Sequence, residues 1–74
     1  MGYTVLTYTG AEVATVATMA EAVEACRARW GSATVVGGYS GDLEDGGEQS
    51  LVWVDEARAA NDSGHAACGR VVRA

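Results

Sequence analysis

Lysine is absent from the 74 residues, as are proline and phenylalanine, and histidine occurs once. Each absence excludes something. With arginine as the sole strong cation and a formal net charge of −5, the chain is repelled by phosphate backbones, which disfavours general nucleic-acid binding. Without proline, nothing forces a helix or strand to break. Without phenylalanine, two Trp and three Tyr supply the large rings, and much of the 49% hydrophobic content is Ala and Val. A chain of this size buries only about 60% of its extended-chain surface, so nearly every large apolar residue must enter the core. Association with a partner, or with a second copy, is one remedy for so small a core. No run of about 18 apolar residues is present to span a membrane. The start, Met1-Gly-Tyr-Thr-Val-Leu6, reads as a strand and lacks the basic and long apolar regions of a secretory leader. The expectation is a single cytoplasmic domain over 1–74 with Cys26 and Cys68 as reduced, packed thiols. A disulfide between them is the alternative.

The most strongly patterned stretch is Thr18-Met-Ala-Glu-Ala-Val-Glu-Ala-Cys-Arg-Ala-Arg-Trp30. Thr18 followed by Glu21 has the form of a capping box. Met19, Val23, Cys26 and Trp30 recur on one face of a 3.6-residue helix, with Ala22 beside them. Glu24 and Arg27 are spaced to pair weakly on the outer face. Gly31 stands where a left-handed terminating residue is wanted. Such a helix has one apolar stripe and needs a sheet to cover it.

Strands account for the rest. Residues 3–9 are β-branched and aromatic, Thr9-Gly10 marks a turn, and 12–17 alternates as the partner strand. A third strand is expected over 33–40, with Gly37-Gly38 marking a bulge, a bend or a close approach. Residues 41–49 carry four acids and three glycines and read as a loop. Residues 50–56 form a fourth strand, apolar on both faces at its centre and therefore interior to the sheet. Residues 57–60 fit either a strand end or a helical turn, 61–64 a turn, and 65–73 a fifth strand. The predicted fold is α+β: a single two-layer domain, ββαβββ, with an antiparallel sheet packed on one helix over about 18–30.

Catalytic groups are scarce. His65 lies beside a turn glycine with no orienting neighbour, as a general base would need, and reads as a solvated loop residue. Cys26 reads as small core filler, and nothing in the spacing of His65 and Cys68 specifies a nucleophile pair. Started at Asp42, a calcium-loop pattern fails at its last position, where Trp53 stands in place of Glu. One His and two distant Cys do not make a zinc site, and Gly37-Gly38 and Gly46-Gly47 lack the Lys and helix start of a phosphate loop. The expectation is a non-enzymatic chain with no metal and no cofactor.

Surfaces remain. Residues 1–50 hold seven acids against Arg27 and Arg29, whereas 51–74 balance three acids with Arg58, Arg70 and Arg73. Asp42, Glu44, Asp45 and Glu48, joined by Glu12, form a candidate negative patch for a protein partner; a merely solvated loop is the plainer use of the same residues. Tyr3 and Tyr8 have opposite parity along the first strand, so at least one tyrosine among Tyr3, Tyr8 and Tyr39 faces away from the helix; Tyr39 is taken as the candidate contact residue. Arg58, Arg70 and Arg73 are expected to pair with Asp55 and Glu56 across the last hairpin.

The element order, with the capped Thr18-Met-Ala-Glu-Ala-Val-Glu-Ala-Cys helix and the later strands Ala33-Thr-Val-Val and Leu51-Val-Trp-Val-Asp, is similar to certain small anti-CRISPR proteins. The resemblance covers most of the chain as a pattern of elements, with no diagnostic motif. It implies a phage- or mobile-element-encoded inhibitor that binds a CRISPR effector complex without catalysis. In that group, one route imitates DNA phosphates with acidic side chains, which here would be Asp42, Glu44, Asp45 and Glu48. Another covers the DNA-binding surface by mixed contacts. Members that rely on basic residues are not matched by a chain without Lys. The alternative expectation is a small cytosolic domain that forms a homodimer through an open sheet edge.

Overall fold

In the computed structural model, residues 2–37, 42–60 and 67–74 are described. Strands β1 (Tyr3–Thr7) and β2 (Glu12–Val16) form the first hairpin, and helix α1 spans Met19–Trp30. A short strand β3 (Val35–Val36), a 3-10 turn (Leu43–Asp45), strand β4 (Gln49–Trp53), helix α2 (Glu56–Ala60) and strand β5 (Gly69–Arg73) complete the order. All pairings are antiparallel, and the sheet order is β2-β1-β5-β4-β3. The predicted α+β sheet on one main helix is what forms. The last strand enters the centre of the sheet, so residues from the two chain ends pair directly, Tyr3 with Arg73.

Helix α1 begins as its sequence dictates. The Thr18 hydroxyl accepts from the Glu21 amide at 3.2 Å and donates to the Glu21 carboxylate at 3.1 Å. Glu21 thus reaches back to the hydroxyl of the cap residue. Glu24 and Arg27 pair at 3.7 Å on the exposed face. The buried stripe is centred on Ala22 and Cys26, both fully buried, with Met19, Ala25 and Trp30 packed at its margins. The small residues lie innermost because they let the helix axis approach the sheet closely. At the other end Gly31 adopts φ 116° and ψ 161°, a positive-φ region but not the left-handed helical well that was expected. The Thr34 amide and hydroxyl both bond the Gly31 carbonyl, at 3.1 and 2.6 Å, and turn the chain towards β3.

Tyr3, Val5 and Thr7 share the helix-facing side of β1 with Val71 and Gly69 of β5 and Ser50 and Val52 of β4. Val5, Val52 and Val71 are fully buried there. A Cβ at Gly69 would lie 2.7 Å from the Trp30 ring, so the missing side chain is what admits the indole over β5.

Several boundaries differ from the sequence reading. Of the strand expected over 33–40, the described part forms only at Val35–Val36, because Thr34 is tied to Gly31 and Gly37 leaves the strand at φ 89°; residues 38–40 lie outside the described residues. The fourth strand ends at Trp53, since Asp55 caps α2: its carboxylate accepts from the Arg58 amide at 2.9 Å. That settles 57–60 as helix. The fifth strand starts at Gly69; His65 and the turn at 61–64 lie outside the described residues.

Candidate functional site

The acidic segment before β4 has the composition of a free loop, but its backbone is held at nearly every step. The Asp42 carbonyl accepts from the amides of Asp45 at 3.0 Å and Gly47 at 2.8 Å, and the Leu43 carbonyl from Gly46 at 3.1 Å. Gly46 adopts the left-handed conformation that closes the 3-10 turn. Leu43 is buried as part of the core cluster, anchoring the turn from within.

Two side chains clamp this turn to the sheet. Ser50 is fully buried on β4; its hydroxyl donates to the Asp42 carboxylate and accepts from the Leu43 amide at 3.2 Å. From the end of β5, the Arg73 guanidinium donates to the carbonyls of Gly47 at 2.7 Å and Leu43 at 3.2 Å. Gly37 packs directly under the Asp42 carboxylate, where a Cβ would collide with Oδ2.

These contacts divide the predicted site residues. Glu44, Asp45 and Glu48 are exposed together on the braced turn. Asp42 is 7% exposed and belongs beneath the surface, because its carboxylate is what holds the turn down. Glu12 does not join the patch. It lies on β2, with β1 and β5 intervening between that strand and β4, and pairs with Leu6 at the opposite end of the strands from the acidic turn. Tyr39 lies outside the described residues. Tyr3 of β1 packs against the core, and Tyr8, which stands in the turn just after β1, is exposed.

The C-terminal arginines are used differently from the expected pairing with Asp55 and Glu56. Arg73 goes to the turn carbonyls, Asp55 accepts from the Arg58 backbone, and the buried Nε of Arg70 finds no hydrogen-bond partner among the described residues. Ser50 and Arg73, the two residues that build the site, escaped sequence reasoning. Ser50 had a signal: a lone hydroxyl on the parity of Val52, in an apolar interior strand, demands a buried partner.

The thiols are free. Burial pushes the Cys26 thiol up to about 11, with the neighbouring Cys68 adding to the effect. Burial also raises Cys68, against the opposing effects of its backbone hydrogen bond and Arg29; its thiol donates to the Val52 carbonyl at 3.4 Å. Both are therefore held as thiols rather than nucleophilic thiolates at neutral pH. Among the described residues, no three His, Cys, Asp or Glu side chains converge to hold a metal, and no helix is long and apolar enough to cross a membrane. An open groove of about 540 Å³ runs between Arg27, Thr34 and Asp55, but Arg27 is engaged by Glu24 and Asp55 caps α2. Compared with protein-family models, curated proteins and solved structures, the chain finds no match.

Proposed function

We propose that this protein is a non-enzymatic protein–protein interaction module that presents Glu44, Asp45 and Glu48 to a basic surface of its partner. The observation that carries this reading is the bracing of the acidic turn by Ser50, Asp42 and Arg73. The clamp fixes the backbone that carries these three acids and sets their spacing on the surface. Carboxylates carried on a backbone that is fixed before binding leave only their own side chains to order on contact, so more of their attraction appears as affinity and on-rate. The net charge of −5 steers the module towards cationic partners.

The partner proposed is a CRISPR effector complex, with the acidic turn occupying positions where DNA phosphates bind. Support for that choice is the similarity of the element order and capped helix to small anti-CRISPR proteins. The test uses purified effector complexes of several types, each assayed for target-DNA binding by gel shift with and without the protein. Loss of DNA binding that is relieved by Glu44→Arg with Asp45→Arg is the expected result. Inhibition that survives the double reversal rejects the acidic mode. No inhibition of any effector rejects the partner and leaves the module to be tested on other basic proteins.

A further inference from the structure

The opposite flank of the sheet carries an independent feature. β2 is the outermost strand on its side, and no strand among the described residues pairs with its outer edge. The direction of its backbone groups follows from hydrogen bonds in β1 and its turn. The Thr7 amide donates to Ala11, towards β2, and the Tyr8 amide donates to Cys68, towards β5. Along an antiparallel strand the N–H and C=O of one residue point to the same side, and successive residues alternate. Tyr3 and Val5 therefore turn their backbone groups to β2, where Val16 and Ala14 receive them. Thr15, opposite Thr4, directs its own N–H and C=O outward. The 3.2 Å contact between the Thr4 and Thr15 hydroxyls fits the closer side-chain spacing of a pair that exchanges no backbone bonds.

We propose that this edge is a self-association surface, at which two copies pair β2 with β2 antiparallel about a two-fold axis at Thr15. Three observations select a second copy as the occupant. First, the irregularity between Val5 and Leu6 interrupts the ladder at Val13, leaving Ala14–Val16 as the regular run, and its centre is Thr15. Second, that register is self-complementary. Thr15 faces Thr15 and exchanges both N–H···O bonds with it, Ala14 faces Val16, and no like charges oppose. Beyond the irregularity, Glu12 lies towards the end of the pair where α1 of the other copy begins, and the free amides there favour a carboxylate. Third, Val13 to Val16 carry no charge that would keep a second copy away, and the one charged residue of β2, Glu12, lies beyond the irregularity. The two sheets become continuous, with both α1 helices on the same face. The acidic turn plays no part in this contact, so the two proposals stand or fall separately.

Sedimentation equilibrium of the wild-type protein tests it. The mass is expected to rise with concentration from 7.6 kDa towards twice that value. Thr15→Pro removes an outward N–H and leaves the β1 ladder bonds in place, and is expected to weaken the dimer about tenfold or more. Thr15→Glu is the second variant, in case proline disturbs the hairpin. It opposes two carboxylates at the axis, weakens association, and regains it as salt is raised. Ser32→Glu adds the same charge away from the edge and leaves association unchanged. A wild-type protein that stays monomeric up to about 1 mM overturns the proposal. So does a dimer whose dissociation constant is the same in the folded Thr15→Glu variant.

Discussion

The two flanks of the sheet invert what their compositions promise. Residues 42–48 are acidic and glycine-rich, the composition of a free loop, and yet their backbone is bonded to itself, to Ser50 and to Arg73. Residues 12–16 form a strand, the composition of settled structure, and yet Thr15, in its regular run, has its backbone groups turned away from the sheet. Composition reports where side chains prefer to be. It does not report whether the backbone beneath them is satisfied, and that second property decides which region is closed and which keeps backbone groups unpaired within the sheet.

The sharpest way to break the comparison is Asp42→Ala. If the acidic turn is clamped, losing this buried carboxylate leaves the Ser50 hydroxyl and the space above Gly37 unfilled. The expected cost is about 3 kcal/mol in urea unfolding. A loss near that of an exposed acid would place Asp42 on the surface after all.

A second effect comes from the core that both flanks share. Burial pushes the Cys26 thiol up from its ordinary 9.0 to about 11 in the folded protein. Its contribution is therefore complete below pH 9 and is lost as pH rises towards 11. By about pH 10.5 the wild type should lose roughly 2 kcal/mol that Cys26→Ala does not lose. Parallel pH profiles for the two proteins would contradict the burial of this thiol.

Arg73→Gln removes two charge-assisted bonds to turn carbonyls, but from an exposed side chain, so about 1 kcal/mol is expected. Glu44→Arg with Asp45→Arg touches the outward groups alone and should change stability by less than about 0.5 kcal/mol. A large loss from that pair would mean that these carboxylates hold the fold rather than face a partner.

The fold was legible where one interaction dominates locally. Thr18, Glu21 and the Met19–Val23–Cys26–Trp30 spacing specify α1, although Val23 stays outside the core cluster, and the apolar centre of β4 places it inside the sheet. Legibility failed where two distant residues decide. The short β3 depends on Thr34 reaching Gly31 and on Gly37 meeting Asp42, and no local pattern announces either. The same holds for the site. Glu44, Asp45 and Glu48 were legible as exposed acids, whereas the inward turn of Asp42 depends on Ser50 across the β4 entry. The role of Arg73 depends on the last strand arriving beside β4, a pairing known only once the sheet order is known.

Amide hydrogen exchange followed residue by residue, at low protein concentration, tests the central contrast most directly. The account predicts that the amides of Leu43, Asp45, Gly46 and Gly47 are protected to a degree comparable with Val52 and Val71, while Thr15 exchanges as an open amide between protected Ala14 and Val16. Acidic-turn amides exchanging at unprotected rates, or a Thr15 amide as slow as its neighbours in the monomer, would contradict it.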